Sequence, residues 1–267
     1  MTIAATPADI AKMVQLSREN NDNGGRYAYP SEWWTGGCSF ACHWDPNDND
    51  FYHATRVHNV TLRLDELKSA VGYLAATLNT RNVLFQYRFG LYSFNTDITT
   101  VYPLSGNIAA SLPSIDGVSP GLGNPWAAYE TNITQSLYNF AGNILTQAGD
   151  GSKAETPKKF VFILTDGVED YYTPGMPSSR TESAINPAAC AAIKAKGATV
   201  AVLHTVYYNP DGEYTDIAAI QDSVVQNLKQ CASGPGLYFA VTDQDGINAA
   251  VQAMLNAAVA TPSRLTF

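Results

Sequence analysis

Two spacings of apolar residues alternate along the chain after residue 60. In several segments an apolar side chain recurs every three or four positions, which predicts amphipathic helices because such residues line one helix face. These positions are Leu64, Leu67, Val71, Leu74 and Leu78; Ile133, Leu137, Phe140 and Ile144; Ile217, Ile220, Val224 and Leu228; and Ile247, Val251, Met254 and Leu255. A further helix is predicted from its end signals, since Asn186-Pro187 is typical of a helix start and Gly197 of a helix end.

Runs of consecutive apolar residues separate these helices. The segment 158–165 leads uninterrupted into a turn, 198–206 is similar, and a shorter run covers 237–241. Strands without polar alternation are typical of a parallel sheet that helices cover on both faces. Residues 82–94 predict a long strand, followed after a polar turn by another at 98–102. We therefore predict an α/β fold with a doubly wound, mostly parallel sheet flanked by helices.

The regular pattern predicts a single domain that spans residues 1–267. Residues 61–267 form its regular α/β part, in which a loop rich in Gly, Pro and Ser is predicted at 105–130. Residues 1–16 predict a helix with a partial apolar face. Residues 17–60 are rich in Asn, Asp, Gly and aromatic residues without a period, which predicts an irregular insertion.

Composition and charge exclude some classes of function. Apolar residues make up 45% of the 267 residues, enough for a substantial core. The net charge is −8 and the isoelectric point near 4.9, and no cluster of Lys and Arg is present. Nucleic-acid binding is therefore not expected, because phosphates require such clusters. No apolar run approaches the ~20 residues of a membrane-spanning helix, and the N-terminus shows no signal-peptide pattern.

Two oxygen-bearing residues occupy positions where ligands collect in α/β proteins. Asp166 follows the strand 158–165, and ligands in open α/β sheets bind beyond the carboxyl ends of strands. Thr131 stands at the start of the helix that contains Ile133. Each residue also has a plainly structural interpretation, as a helix N-cap for Thr131 and as a turn residue for Asp166. Their combination with the helices and strands that follow makes the binding interpretation the more specific one.

The course of the chain from Thr131 through Asp166 to the last helix resembles a von Willebrand factor type A domain, and most closely the C-terminal region of TadG-like Flp pilus-assembly proteins. The resemblance implies a metal-ion-dependent adhesion site in which Thr131 and Asp166 hold Mg²⁺ or another divalent cation. It also implies a non-enzymatic module that binds a protein partner of the pilus-assembly machinery, on the periplasmic side of the inner membrane of a bacterial cell envelope.

The family site also has a DxSxS motif at the end of its first strand, and this sequence lacks that motif. The opening segment 1–16, MTIAATPADIAKMVQL, resembles the segment that follows the motif, with Met1 just after its second Ser. The resemblance thus implies an N-terminally truncated domain without its first central strand and without the membrane anchor that precedes it. Mg²⁺ prefers near-octahedral oxygen ligands, so Thr131 and Asp166 with waters would hold it weakly or not at all.

The four cysteines allow three pairings, and the residues themselves do not choose among them. Buried free thiols are a further possibility, since a free Cys is commonly a small core residue. The resemblance to TadG-like proteins implies local disulfides, Cys38 with Cys42 and Cys190 with Cys231, in an oxidising periplasm. The CxxxCH at Cys38 departs from the CxxCH spacing of haem attachment, which disfavours haem.

Other clusters of polar residues match known sites poorly. The segment 45–50, DPNDND, begins with the ligand spacing of an EF-hand, but Asp50 occupies the position that needs Gly, so a solvated turn is the better interpretation. His43, His53 and His58 lack the spacing of a zinc site.

The alternative function is that of a secreted metal-dependent hydrolase on a doubly wound α/β fold. Carboxylates cluster at Asp166, Glu169 and Asp170, and with His204 of the strand 198–206 they could in principle perform acid–base chemistry. The sequence contains no GxSxG nucleophile elbow, phosphate-binding GxxxxGK loop or dinucleotide GxGxxG motif. We therefore expect a binding module rather than an enzyme.

Overall fold

A computed structural model describes residues 5–22, 51–84, 86–120, 130–172, 180–206, 215–242 and 244–259. The helices within these ranges are α1 (Pro7–Asp22), α2 (Phe51–Val57), α3 (Arg63–Arg81), α4 (Leu112–Asp116), α5 (Ile133–Asn139), α6 (Pro187–Ala195), α7 (Thr215–Cys231) and α8 (Gln244–Val259). The strands are β1 (Phe89–Phe94), β2 (Ile98–Ser105), β3 (Phe160–Thr165), β4 (Val168–Tyr172), β5 (Arg180–Ala184), β6 (Thr199–Thr205) and β7 (Tyr238–Val241). Phe140–Ile144 continues α5 as a π-helical turn.

A parallel sheet in the order β3–β6–β7 forms the centre of the molecule. Thr165 lies opposite His204 at the end of the β3–β6 ladder, and Val202 lies opposite Tyr238 in the β6–β7 ladder. The middle strand β6 is buried from Val200 to Thr205. This finding confirms the predicted α/β fold, because only a strand covered on both faces and paired on both edges loses its solvent contact so completely.

Two apolar clusters cover the two faces of this sheet. One cluster contains side chains of α5, α6 and α7 packed on Val200 and Val202 of β6. The other contains side chains of α3 and α8 packed on Ala201 and Leu203. Neighbouring residues of β6 thus point to opposite clusters, as the two-residue period of a strand requires. The helices predicted from apolar spacing form these two layers.

Strands β1 and β2 form a separate antiparallel hairpin, which pairs Phe94 with Ile98 next to the turn. The strand predicted over residues 82–94 therefore begins too early, because β1 starts at Phe89. Asn82, the residue after α3, does not form part of a strand. Its side chain accepts a hydrogen bond from the Tyr87 N–H (2.8 Å) and donates to the Tyr87 carbonyl (3.3 Å). These bonds hold the connection between helix and strand, so extended pairing begins only at Phe89.

The predicted irregular insertion at 17–60 is wrong at both ends. Helix α1 continues to Asp22, and α2 occupies Phe51–Val57. The reason is tertiary packing that apolar spacing does not report: Ala54 of α2 is fully buried against Met13 of α1. The predictions for residues 23–50, including those for Cys38, Cys42 and the segment 45–50, concern residues outside the described ranges.

The loop predicted at 105–130 also contains regular structure. Ile108–Ser111 forms a 3-10 turn that leads directly into α4. Ile108 and Ile115 are buried in the cluster that α3 and α8 share. These two apolar residues anchor the segment to the core despite its Gly, Pro and Ser content, and residues 121–129 lie outside the described ranges.

The end signals of α6 are confirmed. The Asn186 side chain accepts a hydrogen bond from the Ala188 N–H at 3.0 Å, and Pro187 occupies the first helical position. Gly197 follows the helix with φ of 75°, the left-handed conformation that glycine adopts without strain. Among the described residues, no helix is both long enough and apolar enough to cross a membrane.

Cys190 of α6 and Cys231 at the end of α7 form a disulfide, with their Cα atoms 5.0 Å apart. Both residues are fully buried in the cluster that covers one face of β6. The bond joins the helix before β6 to the helix after it and closes a separation of 41 residues.

Candidate functional site

The turn after β3 is held in one conformation by its own side chains. Thr165 Oγ1 accepts a hydrogen bond from the Gly167 N–H (3.0 Å), and Asp166 Oδ1 accepts one from the Val168 N–H (3.2 Å). Gly167 has φ of 78°, and a Cβ there would lie 2.7 Å from side-chain carbons of Leu228 and Val224. The turn therefore requires glycine both for its backbone and for its contact with α7. It fixes Asp166 at the carboxyl end of β3.

The chain then forms the antiparallel hairpin of β4 and β5, which the sequence analysis did not predict. The residues of this hairpin are mostly polar and give no apolar alternation, so its pairing depends on backbone bonds. Its first strand also pairs with Thr131. The Thr131 N–H donates to the Asp170 carbonyl (2.6 Å), and the Asp170 N–H donates to the Thr131 carbonyl (2.9 Å).

Thr131 is thus attached to the segment that begins with Asp166. The structural interpretation of Thr131 as an N-cap is wrong, because Asn132 caps α5: its side chain accepts a hydrogen bond from the Gln135 N–H at 3.0 Å. The Asn132 N–H in turn donates to the carbonyl of Asn95, at the tip of the β1–β2 hairpin (2.7 Å). The side chain of Thr131 is half-buried and is not used to cap the helix.

Glu169 has a structural role that sequence reasoning missed. Its side chain is only 4% exposed and accepts hydrogen bonds from the Thr134 N–H (2.6 Å) and the Ser183 hydroxyl (3.5 Å). A carboxylate at the first turn of a helix also interacts favourably with the helix dipole. Glu169 therefore ties the β4–β5 hairpin to the start of α5. Glu169 lies in a mostly polar segment, and nothing in the sequence there indicates that its side chain is buried.

His204, at the carboxyl end of β6, is fully buried. Its Nδ1 lies 2.8 Å from the hydroxyl of Tyr238, and its Nε2 has no hydrogen-bond partner among the residues that the structure describes. Burial lowers the pKa of His204, and the nearby Asp166 carboxylate opposes that shift. The ring is therefore a neutral core group next to the Asp166 turn. The sequence placed Tyr238 in a predicted strand but did not indicate that it would contact His204.

The described residues offer the kind of donor atom that a hard cation binds, but too few ligands to complete its coordination. A hydroxyl at Thr131 and a carboxylate at Asp166 are oxygen ligands of the type that Mg²⁺ prefers. Across the described ranges, no group of three or more His, Cys, Asp and Glu could hold a metal. One Asp166 oxygen also accepts the Val168 N–H. His53 lies in α2 and His58 directly after it, and His43 lies outside the described residues.

No protein-family model and no curated protein sequence matches the chain. Among solved structures, the pilus adhesin SpaC from Lactobacillus rhamnosus GG, in its open conformation, is 16% identical, with a TM-score of 0.50 over 76% of this chain and 28% of its own. Proximal thread matrix protein 1 from the mussel byssus is 16% identical, with a TM-score of 0.49 over 73% of this chain and 43% of its own. BatB from Bacteroides thetaiotaomicron is 16% identical, with a TM-score of 0.43 over 72% of this chain and 88% of its own.

The chain spans less than half the length of the first two of these proteins. At such low identity, the likeness to SpaC shows the fold alone, because one fold carries many functions. Together with the helix-covered parallel sheet, it shows a von Willebrand factor A-like fold.

Proposed function

We propose that this chain is a non-enzymatic protein-binding module of a bacterial cell envelope. The von Willebrand factor A-like fold supports the proposal, and SpaC, which shares the fold, is a pilus adhesin. We assign the module to tight-adherence (Flp) pilus assembly on the periplasmic side of the inner membrane, because its sequence resembles TadG-like proteins. Its partner is then a protein of the pilus machinery.

The backbone pairing of Thr131 with Asp170 carries the proposal. It brings a hydroxyl to the segment that starts with Asp166, at the end of a sheet where ligands bind in this class of fold. Thr131 and Asp166 would hold a divalent cation there, and the cation would be available to a carboxylate of a partner protein. Thr131 and Asp166 are the ligands we assign.

Titration calorimetry with Mg²⁺ and Mn²⁺ tests the metal site. We expect weak or undetectable Mg²⁺ binding to residues 1–267, because Thr131 and Asp166 are the two ligands we assign. Asp166→Asn should weaken any binding that is detected, because an amide lacks the charge of the carboxylate. Tight Mg²⁺ binding, or binding that Asp166→Asn leaves unchanged, would contradict this assignment.

A pull-down from envelope extracts tests the partner, with the wild-type protein as bait and with Asp166→Asn as the matched control. Pilus-assembly proteins should be retained in Mg²⁺ and lost in chelator or with the variant. A turnover screen on phosphate esters and peptides tests the hydrolase alternative. Turnover that requires Mg²⁺ or Mn²⁺ and disappears in Asp166→Asn would replace the binding function with an enzymatic one.

A further inference from the structure

A cleft of about 400 Å³ lies at the amino end of the central sheet. Among the residues that line it are Lys158, Lys159, Phe160, Thr199, Leu237 and Ala257, and we call it the amino-end cleft. Its volume is within the range of about 300–1,000 Å³ that is typical of small-molecule sites. The six residues of β3 separate it from Asp166, which at ~3.3 Å per residue is ~20 Å. The cleft is therefore distinct from the candidate metal site.

The loop before β3 forms one wall of this cleft and is tightly folded. The Gly149 N–H donates to the Pro157 carbonyl (2.9 Å), so the two sides of the loop are bonded to each other. A Cβ at Gly149 would lie 2.3 Å from the Thr156 carbonyl oxygen, and the loop therefore requires glycine there. The Ala148 N–H donates to the Lys196 carbonyl (2.7 Å), which attaches the loop to the end of α6. The wall is thus fixed before any ligand binds, as is usual for ligand sites.

The inner surface of the amino-end cleft is partly apolar. Phe160 at the start of β3, Leu237 in the turn before β7 and Ala257 near the end of α8 are each half-buried. Thr199 adds a half-buried polar side chain at the start of β6. A concave apolar surface with a few polar groups is typical of sites for small organic ligands.

Four cations surround this apolar surface. Lys158 and Lys159 line the cleft, and burial together with the charges of Arg88 and Lys196 lowers the pKa of Lys159. Within the described part of the chain, none of these four residues forms an ion pair with a carboxylate. Neighbouring cations repel one another, so an anion bound among them is stabilised by all four. In a chain with a net charge of −8, this concentration of positive charge is distinctive.

The carboxylates of the loop do not neutralise these cations. Asp150 Oδ1 accepts hydrogen bonds from the Ser152 N–H (2.9 Å), the Ser152 hydroxyl (2.6 Å) and the Thr156 hydroxyl (3.2 Å). The bonds from Ser152 contribute most to lowering the pKa of Asp150 to about 2. Glu155 is exposed and is not among the residues that line the cleft. The positive charge of the lysines is therefore available to a ligand.

The ammonium group of Lys159 is held in position by the protein itself. It donates to the carbonyl of Thr146 (2.8 Å) and to the hydroxyl of the same residue. A lysine has three N–H donors, so one of them is left for a ligand. A preorganised cation of this kind loses little conformational freedom when an anion binds.

We propose that the amino-end cleft binds a small amphiphilic anion, in which a carboxylate or phosphate is joined to an acyl chain. Lys158 and Lys159 donate charge-assisted hydrogen bonds to the anionic group. The chain lies on Phe160, Leu237 and Ala257, where burial of its apolar surface adds to the affinity. This activity goes beyond the proposed protein-binding function and does not depend on it.

An NMR titration of the ¹⁵N-labelled protein tests the proposal, with decanoate and decyl phosphate as probes. Decanol is the control without charge, and acetate and inorganic phosphate are the controls without a chain. We expect both probes to shift the amides of residues 158–160, 197–199, 237 and 257, and to bind at least about tenfold more tightly than any control. Equal affinity for decanol, acetate or inorganic phosphate would overturn the proposal, because the cleft would then recognise only one half of the ligand.

Substitution of single lysines tests the role of the cations. Lys158→Gln should weaken the binding of decanoate about fivefold, because it removes one of the charges that line the cleft. Lys153→Gln is the matched control, since Lys153 is an exposed cation of the same loop that is not among the lining residues, and it should leave the affinity unchanged. No loss with Lys158→Gln, or an equal loss with both variants, would overturn the proposal.

Vesicle flotation distinguishes the two sources of such an anion. Retention on vesicles that contain phosphatidylglycerol, but not on phosphatidylcholine alone, together with its loss in Lys158→Gln, would assign the ligand to a membrane lipid. Decanoate binding without vesicle retention would assign it to a free acyl anion. Amide shifts confined to residues away from the cleft would overturn the proposal in the wild-type protein, even if a variant does not fold. These assays use neither divalent cation nor partner protein, so their result is independent of the proposed function.

Discussion

Thr131 and Asp170 exchange two backbone hydrogen bonds, of 2.6 and 2.9 Å, although they are far apart in sequence. The bond pair joins the start of α5 to the hairpin that follows the Asp166 turn. Since only backbone atoms take part, the side chain of Thr131 is left for another role. We expect Thr131→Val to change the free energy of unfolding by less than about 0.5 kcal/mol. Thr131→Pro, which removes the N–H donor, should cost about 1–3 kcal/mol.

Urea denaturation of both variants tests this separation of roles. A loss above 1 kcal/mol in Thr131→Val, similar to that of the Pro variant, would show that the hydroxyl itself is structural; values near 1 kcal/mol are typical of a lost hydrogen bond. In that case Thr131 would no longer be available as a ligand.

Glu169→Ala should destabilise the protein by about 1–3 kcal/mol, because it leaves the Thr134 N–H without its buried acceptor. Glu155→Gln is the matched control, since Glu155 is exposed, and it should change the stability by less than about 0.5 kcal/mol. Urea denaturation measures both, and equal stability of the two variants would refute the anchoring role of Glu169.

Gly167→Ala should destabilise the protein strongly, since it combines a positive φ with contacts of 2.7 Å to α7. Strain of this kind costs on the order of 1–3 kcal/mol before the steric contacts are counted. Gly72→Ala offers the opposite case: the residue lies inside α3, and a Cβ there would meet nothing within 4 Å. It should stabilise the helix by about 0.5–1 kcal/mol. Thermal melting should therefore shift in opposite directions, and a shared direction would contradict the geometry.

Cys231→Ser should lower the melting temperature under oxidising conditions and change it little under reducing ones. The disulfide closes a separation of 41 residues, for which the chain-entropy model gives about 3–4 kcal/mol. Non-reducing peptide mapping checks the connectivity. A Cys38 to Cys231 linkage, or four free thiols in protein recovered from a periplasm, would refute the pairing and the assigned compartment.

His204 should make stability depend on pH. Its pKa is lowered in the folded protein by burial, so the unfolded chain binds a proton more readily, at a pKa of about 6.5. The stabilising contribution of the neutral His204 is then fully present above that pH. It is lost as the pH falls from there toward the pKa of the folded state. Comparison of unfolding free energies between pH 7.5 and 5.5 should give a steeper slope for wild type than for His204→Gln. Parallel slopes would show that another group controls the dependence.

The central sheet was predictable because its strands are defined by local composition. The apolar run at 158–165 and the run at 198–206 became β3 and β6 within two residues at each end. The ends of α6 were equally predictable. The Asn186 side chain caps its start, and the Gly197 backbone adopts the left-handed conformation after its end. Where a few neighbouring residues fix a structure, its sequence pattern suffices.

Other parts depend on contacts between distant segments. Nothing near Thr131 indicates that its backbone will bond to Asp170, and nothing near Ala54 indicates that Met13 will cover it. Asn132 rather than its neighbour Thr131 caps α5, and both residue types are common N-caps, so local composition did not distinguish them. The site was therefore predicted in its residue types, while the hairpin that assembles it was not.

The bond between Cys190 and Cys231 has a mechanical consequence. If the protein is pulled from its two ends, tension passes through the disulfide and bypasses residues 191–230 between the cysteines, which include β6. At up to ~3.6 Å per residue, this segment holds on the order of 150 Å of chain that cannot extend while the bond is intact. The disulfide thus keeps the middle strand of the sheet out of the force path until a reductant opens the loop.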